Sequence, residues 1–165
     1  MKNIFFINGT MGVGKTTTSR ELQRLLPKCA FLDGDWCWDM NPFIVTDETK
    51  NMVEDNICYI LNNFLRCSEY ENIIFCWVMH EEYIIESILS RLNLQNTILY
   101  KISLICSEQS LVERISKDVE SGIRRKDVIE RSVARLNNYL LMDTIKIDVS
   151  NIDSKQAAQQ IINYI

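Results

Sequence analysis

A chain of 165 residues is long enough to bury one large hydrophobic core and too short for two, so a single domain over 1–165 is expected. With 47% hydrophobic and 24% charged residues, and no repeat or low-complexity run, the composition excludes a disordered or repetitive chain. A formal charge of −4 gives no general attraction to nucleic acid or to anionic lipid, so neither is expected as a partner, and any polyanion has to be met by a local basic patch.

In chain order, the first predicted element is a strand at 4–7, an apolar run too short for a signal peptide. Three glycines, Gly9, Gly12 and Gly14, follow within six positions, and a helix is predicted at 15–26. Strand 29–32 leads into a loop at 34–45 and then a helix at 47–67. The run "IIFCWVM" predicts a strand at 73–79 and is far short of a membrane span. Beyond it come helix 81–92, strand 98–105, helix 108–120, a break at 121–126, helix 127–141, strand 145–149 and helix 154–164. Asp127 with Glu130, and Ser150 with Asp153, have the spacing at which two side chains cap a helix start reciprocally. Continuous rather than alternating apolar strands, interleaved with helices, require a parallel sheet covered on both faces. The expected fold is therefore α/β: a three-layer sandwich around a five-stranded parallel sheet. Six cysteines, none in a CxxC pair, are expected to be buried free thiols rather than zinc ligands or disulfides, as suits a cytoplasmic protein.

Gly9-Thr-Met-Gly-Val-Gly14-Lys15-Thr16 fits G-x-x-x-x-G-K-[ST], and it lies where that motif must, after an apolar strand and at the head of an amphipathic helix. The backbone of Gly9, Thr10, Met11, Gly12, Val13 and Gly14 is expected to wrap a β-phosphate, aided by the dipole and free N–H groups of the helix start. Lys15 is expected to reach the β- and γ-phosphates and Thr16 to place its hydroxyl on Mg²⁺, with Thr17 continuing the binding turn. ATP and Mg²⁺ are the expected cofactors.

On these residues the chain resembles the small P-loop kinases, a group that includes nucleoside monophosphate, shikimate, gluconate and adenylylsulfate kinases and certain antibiotic phosphotransferases. Through "INGTMGVGKT" and its size it is most similar to chloramphenicol-phosphotransferase-like and tunicamycin-resistance-like proteins. Asp33-Gly34-Asp35 resembles the "LDGD" of gluconate and adenylylsulfate kinases. The resemblance implies that Asp33 helps hold the metal and that Asp35 orients or deprotonates the attacking hydroxyl of the substrate. Trp36, Trp38 and Phe43 lie just beyond, and Trp36, adjacent to Asp35, is the best placed to stack on a ring-shaped substrate. Loop and helix 34–67 together form the expected acceptor-binding segment.

The usual P-loop arrangement has a metal-binding acid at the end of a further strand, but here that end reads Met79-His80-Glu81-Glu82, with no Asp. His80, the only histidine, is a candidate substrate contact; Glu81 and Glu82 suit the start of the next helix. Farther on, Arg114, Lys117, Arg124, Arg125, Lys126, Arg131 and Arg135 concentrate positive charge around a short break. This pattern is similar to the lid of nucleoside monophosphate kinases, and a lid at about 114–135 is expected. By that similarity Arg125 and Arg135 touch phosphates and are catalytic, Arg131 is close to them, Arg114 packs on the nucleotide base, and Arg124 is a lesser candidate.

The expected activity is in-line transfer of a phosphoryl group from Mg-ATP to a hydroxyl of a small molecule such as a nucleoside, metabolite or antibiotic. The acids Asp33, Asp35 and Asp39 favour a neutral or cationic acceptor. Two alternatives stay open: a nucleoside monophosphate kinase, which needs a second basic site, and a non-catalytic ATP-binding switch. Monomer and homodimer are both compatible with the sequence.

Overall fold

The computed structural model describes residues 1–165. Strand β1 (Lys2–Asn8) sits at its centre, because Ile4 to Ile7 is an unbroken apolar run with a face for each side of a sheet. Ile4 and Phe6 enter one hydrophobic cluster while Phe5 and Ile7 enter another, the period-two alternation of an extended chain. β3 (Asn72–Cys76) pairs with β1 on one side and β4 (Thr97–Ile105) on the other. β2 (Cys29–Asp33) lies outside β3 and β5 (Ile145–Asp148) outside β4, giving the all-parallel order β2-β3-β1-β4-β5.

Helices cover both faces, as a parallel sheet requires. Helices α1 (Lys15–Leu25) and α7 (Ser154–Ile162) bury Leu22, Ala157 and Ile161 on the Phe5 face. On the Ile4 face lie α2 (Asp47–Arg66), α3 (Glu82–Leu89) and α6 (Leu136–Leu141), through Ile57, Leu61, Ile85 and Tyr139. A third, small cluster joins α4 (Glu108–Glu120) to α5 (Val128–Ala134) through Leu111, Ile115 and Val128, with Met11 packed against it. The glycine loop, Asp33 and Trp77 all follow the carboxyl ends of parallel strands, so they share one edge of the sheet, where such folds bind ligands.

Several expected details differ. The third strand stops at Cys76 rather than at residue 79, which leaves Trp77 and Val78 free to face the crevice. Helix 127–141 is two helices broken at Arg135, and helix 81–92 ends at Leu89. Asp127 is itself in helical conformation and its side chain makes no capping bond, so the predicted box with Glu130 does not form. Ser150 turns its hydroxyl to Asp148 Oδ1 (2.6 Å), and α7 instead starts at Asp153, in a box with Gln156. The loop after β2 opens with a short 3-10 turn, Gly34–Trp38. Of the six free cysteines, Cys58 and Cys76 are fully buried and the other four half-buried. No helix is long and apolar enough to cross a membrane.

Candidate active site

The glycine loop is pressed against the protein on one side and open on the other. A Cβ on Gly12, whose φ is +85°, would stand 2.5 Å from Ile115 Cγ1 of α4. Gly14, the left-handed residue that starts α1, has no neighbour within 4 Å of where its Cβ would be. Two polar contacts fix the loop from outside: Thr10 Oγ1 donates to the Ser132 carbonyl of α5 at 2.8 Å, and Arg114 donates to the carbonyls of Val13 (3.0 Å) and Val149.

Inside the loop, Lys15 Nζ donates to the Thr10 carbonyl at 3.0 Å and makes no ion pair. Burial lowers its pKa, against the opposing pull of Cys76, Asp35 and Asp33. Thr16 Oγ1 donates to Asp33 Oδ2 at 2.7 Å, and Asp33 Oδ1 accepts the Asp35 N–H at 3.1 Å. One buried carboxylate thus both caps the 3-10 turn and reaches the first turn of α1.

Three cavities adjoin these groups. One of about 250 Å³ is lined by Gly12, Gly14, Lys15, Thr16, Thr17, Asp35, Arg114, Asp118 and Arg124. Behind it, Val13, Thr18, Arg114, Val149 and Ala157 enclose a second, about 310 Å³. In front lies the largest, about 730 Å³, walled by Met11, Trp36, Trp38, Phe43, Trp77 and Val78, with Asp35, Asp39, His80 and Arg135 as its polar groups. Asp35 lines both the first cavity and the largest. Its pKa is raised, by burial first and the Asp33 charge second, with Lys15, the Trp77 indole and Arg124 pulling the other way.

This arrangement suits a triphosphate and Mg²⁺. A half-buried ammonium with only a carbonyl partner calls for an anion. The Thr16 hydroxyl and Asp33 carboxylate are hard oxygen donors of the kind that hold a largely hydrated Mg²⁺, which needs few protein ligands.

The expected site residues separate into two sets. The loop residues, Lys15, Thr16, Thr17, Arg114, Asp33, Asp35, Trp36, His80 and Arg135 converge on the crevice. Arg125 and Arg131 do not: both are exposed and line none of these cavities, and Arg131 faces Asp127 at 3.8 Å. Arg124 occupies the phosphate-sized cavity instead, with its Nε on Asp118 Oδ2 at 2.8 Å. Trp36 is half exposed, edge-on to Phe31 at 5.3 Å. His80 Nδ1 is buried without a hydrogen-bond partner and its Nε2 lies 3.7 Å from Glu81 Oε1; burial first and Arg135 second lower its pKa, against the pull of Glu81.

Trp77, Val78 and Asp118 escaped the sequence reading, whereas Asp39, singled out there as an acid near the acceptor, does line the largest cavity. Trp77 sat within an apolar run with nothing to mark where the strand ended. Gly34 held the available clue, since a Cβ there would come within 2.5 Å of Trp77 Cγ, so only glycine lets the indole lie against the turn.

The family model described as AAA domain matches residues 5–143. No curated protein matches the chain significantly. Among solved structures, a sugar kinase from Janibacter sp. HTCC2649 superposes with TM-score 0.72 at 14% identity, over 99% of this chain and 94% of that one. The Deinococcus radiodurans tunicamycin resistance protein gives 0.67 at 20% identity, over 99% and 95%. Shikimate kinase from Acinetobacter baumannii, in complex with shikimate, gives 0.66 at 19%, over 99% and 92%. At these identities the likeness establishes the fold, a five-stranded parallel sheet of the small P-loop kinase kind. The chain belongs to the AAA domain family, with the architecture of the small P-loop kinases.

Proposed function

We propose that the protein is an ATP-dependent phosphotransferase acting on a hydroxyl of a small molecule. The observation that carries this reading is the position of Asp35, shared by the loop cavity around Lys15 and the aromatic cavity around Trp36 and Trp77. A single carboxylate there faces a transferable phosphoryl group on one side and an acceptor on the other.

Mg-ATP, when bound, supplies the phosphoryl group and neutralises part of its charge. Lys15, Arg114 and the loop backbone bind the nucleotide, and Thr16 and Asp33 hold the metal. Asp35 accepts the acceptor hydroxyl's proton on a carboxylate oxygen as attack begins, a role that its raised pKa favours. Arg124 is placed to stabilise charge on the transferring group once it leaves Asp118. The aromatic walls exclude water and orient a ring-bearing acceptor.

The acceptor cavity holds two acids, Asp35 and Asp39, against the single fixed cation Arg135. That balance favours a hydroxyl acceptor over a nucleoside monophosphate, whose phosphate calls for several cations. The test is ADP release in the presence of Mg-ATP and a panel of nucleosides, nucleotides, sugars and glycosides. Acceptor-dependent release abolished by Lys15→Ala is expected; tight ATP binding with no turnover on any acceptor would refute the proposal.

A further inference from the structure

The aromatic cavity does not end at Arg135. A second chamber of about 320 Å³ adjoins it, and Trp38, Val45, Trp77, Val78 and His80 line both. The far wall of that chamber belongs to α2 and α3, where Tyr83 and Ile84 make it apolar and Lys50 and Glu54 give it a polar mouth. Glu54 is already engaged, accepting from Ser87 Oγ at 2.9 Å. On the shared wall, His80 turns its Nε2 toward Glu81 Oε1 at 3.7 Å, while its Nδ1 is shielded from solvent.

We propose that the acceptor is a two-part molecule of the glycoside type, with a hydroxylated ring beside Asp35 and a second, apolar ring in the chamber walled by Tyr83. The inference rests on the phosphotransferase reading for the identity of the phosphorylated hydroxyl, but the binding it describes does not require transfer. Size supports it: the larger cavity alone falls within the ~300–1,000 Å³ of whole small-molecule sites, so a lone sugar acid leaves both chambers largely filled with water. Chemistry supports it as well. The walls are aromatic or apolar where each ring would pack, with Trp36, Trp38 and Phe43 in the larger cavity and Tyr83 and Ile84 in the smaller.

All three tryptophans of the chain, Trp36, Trp38 and Trp77, line the larger cavity, so intrinsic fluorescence reports on this site alone. The experiment titrates the intact protein, without nucleotide, with phenyl β-D-glucoside and with methyl β-D-glucoside, which share every hydroxyl and differ by the apolar ring. Phenyl glucoside is expected to bind about tenfold or more tightly, the gain from burying one ring. Tyr83→Ala, a change at an exposed residue, is expected to reduce the ratio of the two affinities severalfold. Equal affinity for the two glucosides, or a ratio unmoved by Tyr83→Ala, would overturn the proposal. Because these titrations involve no ATP, a protein that prefers the phenyl glucoside yet transfers no phosphate to any acceptor would refute the kinase reading and leave the two-chamber site standing.

Discussion

Thr16 and Asp33 meet across 2.7 Å, hydroxyl to carboxylate, and so join the first turn of α1 to the end of β2. The same carboxylate accepts the N–H of Asp35, so the residues assigned to the metal and to proton transfer form one hydrogen-bonded unit.

Breaking that unit has a defined signature. Thr16→Val keeps the shape but leaves the buried Asp33 oxygen without its donor, at a cost of about 1–3 kcal/mol in unfolding free energy, read as a lower Tm. Thr16→Ser restores the bond and most of that loss. Asp33→Asn, which retains an acceptor but not the charge, is expected to raise the Mg²⁺ concentration needed for half-maximal rate.

Gly34→Ala tests the aromatic wall. The added methyl meets Trp77 with no room to spare, so the indole, which lines the aromatic cavity, must shift. Overpacking of this kind typically costs about 1–3 kcal/mol. Tryptophan emission should shift and the KM for acceptor rise, while the affinity for ATP, bound on the other side of Asp35, stays at the parent value.

Asp35 sets a pH dependence with a fixed sign. Its carboxyl must be ionised to take a proton, and burial with the Asp33 charge raises its pKa, so the acid limb of the rate profile should lie above the ordinary aspartate range. The same shift acts on stability in the opposite direction. The folded protein holds this proton at pH values where the unfolded chain has already lost it, so stability falls as pH rises from the ordinary aspartate value through the raised one. Asp35→Asn should therefore show a higher Tm at neutral pH together with turnover lower by ~100-fold or more. A variant with unchanged turnover would remove Asp35 from the mechanism.

Arg124 and Arg125 are adjacent in sequence but differ in setting. Arg124 faces Lys15 and Thr16 across the loop cavity and is held by Asp118, whereas Arg125 is exposed. Steady-state kinetics should show Arg124→Ala lowering kcat at least ~10-fold more than Arg125→Ala, the scale of one well-placed charge-assisted hydrogen bond. Equal losses would remove Arg124 from the role proposed for it.

The sequence by itself determined the nucleotide half. Gly9 to Thr16 is a local motif: its glycines, its lysine and the strand before it lie within one short segment, so backbone geometry and chemistry are written side by side. Apolar runs likewise announced the five parallel strands, most plainly in β1 and β3, where burial on both faces leaves the strand centres without polar residues, and least in the edge strand β5, where Lys146 and Asp148 alternate with isoleucine. Tertiary structure decided the rest. Whether Arg124 or Arg125 enters the cavity depends on how the chain turns after α4, and two neighbouring residues of the same type carry no signal of it. Nor does an apolar run reveal that β3 ends at Cys76, since Trp77 is as hydrophobic as the strand before it and is released only by packing against Gly34. The aromatic cavity is assembled from four separate stretches, around Met11, Asp35 to Val45, Trp77 to His80 and Arg135, and what makes them one cavity is their meeting at the carboxyl edge of a folded sheet.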